Sequence, residues 1–326
     1  MTDGAAVAAD HAPSVAHFPL PLFAASMGLL GFTLALQRVE AALGLGALAS
    51  GLALGFSVLV FLATSAGYLT KALRHRDEVK GDWNHPVRIA FFPAISISVL
   101  LLATAVMPSS ESLARGLWII GAAGQAALTL AVVANWIGAR AFLAPQLSPA
   151  WFIPAVGNVI APIAGAHLGL IELSWYFFSV GMIFWVVLLT LVMNRLMFHE
   201  PLPGKLQPTL VILIAPPAVG FVAYVNLAGG VDGFARVMIN AGYLFFLVVL
   251  TQARAFGRIP FALSFWALSF PVAALAIASF VFARETGSGF HLGAGYGLSA
   301  LLSVIIAVLV LRTAKAALGG HIFKPE

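Results

Sequence analysis

Phe270 stands directly before Pro271, and small side chains follow it on one helical face, with Ala273, Ala274 and Ala278 at i+3, i+4 and i+8. Ile277 at i+7 narrows that face. Phe270 is the tenth residue of an apolar stretch at 261–283. That places it about 14 Å into a hydrocarbon layer of about 30 Å. A ring at that depth, with small residues beyond it, closes a narrow hydrated passage by bulk and by dewetting. The plainer alternative is ordinary helix packing. Phenylalanine also precedes proline at Phe18–Pro19 and Phe92–Pro93, but there it occupies the first turn of its stretch, near an interface. Phe270 is therefore the candidate gate.

Reactive chemistry is otherwise sparse. With no cysteine, disulfides, thiolate nucleophiles and cysteine-ligated metals are excluded. The eight histidines fall mostly in loops and tails, and only His167 lies inside an apolar stretch, near its end. Haem or metal held between helices needs at least two facing ligands, so neither cofactor nor metal is expected. Gly204–Lys205 lacks the upstream glycine and following hydroxyl of a phosphate loop, so no ATP motor is encoded. Asp, Glu, Lys and Arg all fall in loops or at stretch ends, Glu172 and Arg88 coming nearest the interior. Coupled pumps need a buried titratable group to carry or sense protons. No cluster of catalytic residues marks an enzyme.

The surrounding chain is built for a membrane. Hydrophobic residues make up 61% of 326, charged residues 9%, and mean hydropathy is +1.00. Ten apolar stretches are expected at 18–36, 41–70, 89–107, 114–137, 151–171, 174–196, 208–228, 234–253, 261–283 and 293–311. The second is long enough to tilt or break near Gly51 and Gly55. The fold class is thus an all-α integral membrane protein of ten transmembrane helices. Six prolines lie inside these stretches, and every one is in an odd-numbered one: Pro93, Pro154, Pro162, Pro216, Pro217 and Pro271. Pro19 and Pro21 open the first stretch and Pro208 opens the seventh. A proline removes a backbone donor, and broken backbone survives at membrane depth only beside protein or water. The alternation predicts two layers, with odd helices around a wet conduit and even helices against lipid.

Small residues repeat on the odd stretches, with Ala24, Ala25, Gly28 and Gly31 in the first and Gly157, Ala161, Ala164 and Gly165 in the fifth. Close packing is the ordinary reading of such stripes. Their recurrence beside prolines favours a lumen. Expected lining or kink residues are Gly28, Pro93, Ser96, Pro154, Gly157, Ala161, Pro216, Pro271, Ala274 and Ala278. Carbonyls freed at the kinks repel anions, so they must turn away or meet hydroxyls such as Ser96, Ser98 and Ser269.

Orientation follows the cation bias. Of 17 lysines and arginines, 13 fall on one side, five of them in Lys71–Arg88. The other side has four, Arg38, Arg115, Arg236 and Arg284. Both termini are therefore expected in the cytoplasm, with tails at 1–17 and 313–326 flanking a single domain at 18–312. The first residues, with Asp3, Asp10 and no Lys or Arg, do not read as a secretory leader. The net charge of +5 reflects the side bias and no nucleic-acid partner is expected.

Several segments resemble one family in order along the chain, from about Phe18 to Arg312. They are Pro21 through Gly28, His85-Pro86-Val87-Arg88 leading to Phe91-Phe92, and Trp151-Phe152-Ile153-Pro154 followed by Val156-Gly157-Asn158. Ile214-Ala215-Pro216 and Phe265-Trp266-Ala267-Leu268-Ser269-Phe270-Pro271 complete the set. The chain resembles the TehA-type tellurite-resistance/dicarboxylate transporter family, which includes the plant guard-cell slow anion channels. The resemblance implies five helical hairpins in quasi-fivefold array, odd helices around a central pore, and a homotrimer with one pore per protomer. It also maps the family's gating phenylalanine onto Phe270. The malate-carrier branch reads Met-Gly-Thr-Gly where this chain has Met27-Gly28-Leu29-Leu30.

The functional expectation is a passive channel for small monovalent anions such as nitrate and chloride, in the inner (cell) membrane. The competing reading is a carrier or exporter for dicarboxylate, sulfite or tellurite, proton-coupled through Glu172 or His167.

Overall fold

The computed structural model describes residues 14–138 and 142–323. Residues 1–13 of the expected N-terminal tail, Arg140 and Lys324 lie outside them. Among the described residues the chain is helical, with no strand. Among the described residues nine helices are long and apolar enough to cross a membrane. In chain order the α-helices are α1 (Phe23–Leu43), α2 (Leu48–Arg74), α3 (Arg76–Asn84), α4 (Pro93–Val106), α5 (Glu111–Ile137) and α6 (Phe152–Val156). They continue with α7 (Ala161–Gly165), α8 (Ile171–Phe198), α9 (Ala215–Ala228), α10 (Gly233–Phe256), α11 (Ser269–Thr286) and α12 (Gly289–Leu318).

The fifth expected span is the exception. It is shorter, Pro149–Gly165, and is broken into α6 and α7 by a 3-10 turn at Gly157–Ile160. Two prolines, Pro154 and Pro162, deny that segment a continuous hydrogen-bond ladder. The second span is not broken at Gly51 or Gly55: α2 runs through both. Glycine weakens a helix but keeps its N–H, so the ladder survives there. The polar connection Lys71–Arg88 is not a plain loop either, since α3 forms inside it with Asp77 and Glu78 in its first turn.

Every odd span is assembled the same way, as a 3-10 segment followed by an α-helix. The 3-10 segments are Leu20–Leu22, Arg88–Phe91, Pro149–Trp151, Gly204–Ile214 and Leu263–Leu268. Pro93 is the first residue of α4, Pro162 the second of α7 and Pro216 the second of α9, where a missing N–H costs least. The carbonyl four residues before each accepts the preceding residue's N–H instead: Phe92 to Ile89, Ala161 to Asn158, Ala215 to Ile212.

Burial separates the two sets. Within the most apolar stretch of the first, third, seventh and ninth spans, 61–89% of residues are buried, against 17–33% for the even spans. Between Pro149 and Gly165 all but Ile163 are buried. Even helices turn large side chains such as Leu52, Leu130, Ile183 and Val237 outward, as a lipid-facing layer requires. The odd spans form the inner layer: α1 packs on α4 and α11, and α9 on α7 and α11.

Candidate functional site

Two cavities lie inside the ring of odd spans. The first, about 70 Å³, takes lining from all five and from no even span: Met27, Phe91, Phe152, Pro216 and Trp266 represent one each. No charged side chain lines it. The second, about 30 Å³, is again lined by odd spans alone, among them Leu34, Leu101, Ile163, Val222 and Ile277. A volume of that size holds only a water or two. Phe270 and Val219 border both cavities. Phe270 is half-buried between fully buried Ser269 and Pro271. Its ring lies against Gly31 of α1, where an added Cβ would stand 3.1 Å from it.

The other expected site residues divide. Pro271, Gly157 and Pro216 line the first cavity and Ala274 the second. Gly28 faces α11 instead: a Cβ there would stand 2.0 Å from the Ser269 hydroxyl, so only glycine allows the two helices this close. Ala278 is fully buried and borders neither cavity, whereas Ile277 lines the second. Pro93, Ser96, Pro154 and Ala161 are buried without lining a cavity. The lining residues that sequence reasoning missed are chiefly large and apolar, Met27, Phe91, Phe152 and Trp266, and nothing in their types marks them off from core.

Polar groups among these helices are directed at the broken backbone. Ser96 Oγ lies 2.9 Å from the Pro93 carbonyl and 2.8 Å from Gln125 Oε1. Gln125 Nε2 and Thr129 Oγ1 donate to the Pro154 carbonyl at 3.1 and 2.8 Å. Asn158 Nδ2 donates to the Ala155 carbonyl at 2.7 Å and to Thr129 Oγ1 at 2.9 Å. Trp118 Nε1 donates to the Ala161 carbonyl at 2.8 Å, and Ser269 Oγ to that of Trp266 at 2.6 Å. Ser98 serves Ala94 in the same manner. Carbonyls that would otherwise present negative charge are thus occupied.

Charge collects at the two ends. On the side carrying Lys71–Arg88, Asp82 receives Lys71 Nζ at 2.7 Å, the Tyr68 hydroxyl at 3.1 Å and Arg88 at 3.4 Å, with Lys71 and Asp82 almost fully buried. Lys71 also donates to the Phe18 carbonyl at 3.1 Å, tying the first span to the second. A cavity of about 310 Å³ opens beside this cluster. At the opposite end a cavity of about 390 Å³ is lined by Arg38, Arg284 and Ser288. His167, in the turn beyond α7, and Glu172, in the first turn of α8, are exposed at that end and line neither inner cavity. No group of three His, Asp or Glu side chains among the described residues is placed to hold a metal.

Comparison with known proteins matches this architecture to a family. The family described as "SLAC1: Voltage-dependent anion channel" matches residues 17–314. S-type anion channel SLAH2 of Arabidopsis thaliana is 28% identical over 312 residues, covering 93% of this chain and 60% of the relative. S-type anion channel SLAH3 of the same plant is 30% identical over 259 residues, 79% of this chain and 41% of the relative. The tellurite resistance protein TehA homolog of Haemophilus influenzae is 27% identical over 315 residues, covering 94% and 93%. The chain thus spans about 60% and 41% of the length of the two plant relatives. With nearly the whole described fold inside the match, the chain belongs to the SLAC1 voltage-dependent anion channel family, a group of multi-pass membrane proteins of anion transport.

Proposed function

We propose that this protein is a passive channel for small monovalent anions such as nitrate and chloride. The two inner cavities mark its conduit, and the Phe270 ring closes it. The observation that carries the reading is the position of Phe270, bordering both cavities in a ring lined only by the five proline-bearing spans. The names of the plant relatives, S-type anion channels, point the same way. No carboxylate lines either cavity, so nothing there repels an anion or relays a proton. Glu172 and His167 are exposed at one end, away from the closure. Selectivity then comes from a diffuse positive field and from the expense of dehydration, which favours weakly hydrated anions.

The reading extends to the assembly. The domain at 18–312 comprises ten spans, counting Pro149–Gly165, paired as five hairpins. It forms a homotrimer with a conduit in each protomer. It sits in the cell membrane with both termini and the Lys71–Arg88 segment in the cytoplasm, consistent with the cation bias.

Phe270→Ala tests the closure. Recorded in oocytes or planar bilayers at equal surface expression, the variant is expected to raise anion current by roughly an order of magnitude or more. Equal currents in wild type and variant would remove Phe270 as the block. Saturating flux that tracks a pH gradient would instead favour a carrier for dicarboxylate, sulfite or tellurite.

A further inference from the structure

The second cavity ends on a cation that no described residue neutralises. Arg38 lies seven residues beyond Gly31 on α1, a rise of about 10 Å from the point where that helix touches the Phe270 ring. It borders both the second cavity and the wider one that opens at the same end. Among the described residues it makes no hydrogen bond and no ion pair. Its charged neighbour is a second cation, Arg284, which lines the wider cavity and is paired with Glu285 at 2.8 Å. A half-buried guanidinium set against another guanidinium, with no carboxylate of its own, is unfavourable unless a mobile anion supplies the missing charge.

We propose that Arg38, assisted by Arg284, forms a binding site for a small monovalent anion between the Phe270 ring and the Arg38 end of the conduit. The site holds the ion beside the closure, with part of its hydration shell replaced by guanidinium N–H groups. This deepens the channel reading and rests on it for the direction of use, though binding itself does not require conduction.

His167 tunes the site. Partial burial, then Arg38 and Arg284, hold its imidazole below the ordinary histidine range, so it is neutral at pH 7. Protonation on acidification of this side adds a third positive charge. The other charged or titratable groups at this end face other partners: Arg236 lies over the Phe282 ring at 5.4 Å, Asp232 accepts the Tyr224 hydroxyl and the Ala235 N–H, and His291 Nδ1 pairs with the Ser288 hydroxyl at 2.7 Å. Arg115 of α5 engages Glu111 and the Leu168 carbonyl, Glu285 engages Arg284, and the Glu40 carboxylate accepts the Ser50 N–H. Glu172 is exposed in the first turn of α8, and α4 and α9 carry no charged side chain.

Chloride-35 NMR line broadening on the purified full-length protein reads the site without conduction. Currents in the Phe270→Ala background, with chloride varied on one side at a time, read it during conduction. Arg38→Gln is expected to weaken chloride binding about tenfold or more and to raise half-saturating chloride on its own side alike. Arg38→Lys keeps the charge and most of the broadening. Arg284→Gln, at an exposed position, weakens binding severalfold and keeps the test open should Arg38→Gln not fold. Acidification below the ordinary histidine range tightens binding in wild type and not in His167→Gln. Unchanged broadening in Arg38→Gln, or in Arg284→Gln if only that variant folds, overturns the site. Loss of broadening in Arg38→Gln together with no current from Phe270→Ala keeps the site and discards the channel.

Discussion

Phe270 and Asp82 show how differently single side chains are placed in one inner layer. Phe270 has space on two sides, and its ring lies against Gly31 of α1. A side chain so placed is removed at modest expense to packing, which is why Phe270→Ala is a usable test. Asp82 is the reverse case. Its carboxylate, almost fully buried, is shared by Lys71, Arg88 and Tyr68. Breaking one side of a buried pair leaves an uncompensated charge and costs about 3–5 kcal/mol. Asp82→Asn is therefore expected to lower the thermal midpoint of the detergent-purified protein by several degrees. Lys71→Met combined with Asp82→Leu should recover part of the loss, because the almost fully buried cation is removed with its partner and only the partly exposed Arg88 loses a contact. An unchanged midpoint in Asp82→Asn would mean that water already solvates the cluster.

The unit that matters among the elements is the 3-10 segment followed by an α-helix, repeated in all five odd spans, with proline in the first turn of the helix in all but the first. It solves locally what proline creates locally, because the tighter turn redirects the N–H of the preceding residue to the carbonyl left free. Side chains take up the remainder. The fifth span, with two prolines, depends most on its neighbours: Gln125 and Thr129, both on α5, meet at the Pro154 carbonyl. Gln125→Leu is expected to cost roughly 1–3 kcal/mol by leaving Ser96 and the Pro154 carbonyl short of partners. A fall in thermal midpoint checks it, and a neutral result would show that Thr129 alone suffices. The small-residue stripes serve both packing and lumen. Gly28 exists for contact with Ser269, while Gly157 combines contact with Ile97 and exposure to the first cavity.

For the whole molecule, the proposed channel with an apolar inner ring predicts selectivity by dehydration. The first cavity has no charged lining, and the guanidinium of Arg38 stands at one end only. Nitrate is expected to permeate better than chloride, and chloride far better than sulfate. Reversal potentials of the Phe270→Ala variant under bi-ionic conditions measure this order. Equal permeability of sulfate and nitrate would overturn selection by dehydration.

Composition alone assigned the chain to the membrane, because a 326-residue chain with 9% charged residues cannot present a soluble surface. Proline parity separated inner from outer spans, since a lost backbone donor is tolerated only where protein or water can answer it. Among the described residues the long spans were equally legible, because each is an apolar helix long enough to cross a bilayer. Facing was not. Ala278 and Ile277 are neighbours in sequence about 100° apart on a helix, and which of them meets the cavity depends on the rotation of α11 against α1 and α9. The pairing of Lys71 with Asp82 needed α3 to fold back onto α2, and the solitude of Arg38 needed Arg284 to arrive from a helix some 240 residues away. Local backbone chemistry is written residue by residue, whereas the direction a side chain points inside a ring of five segments is settled only when all five are packed.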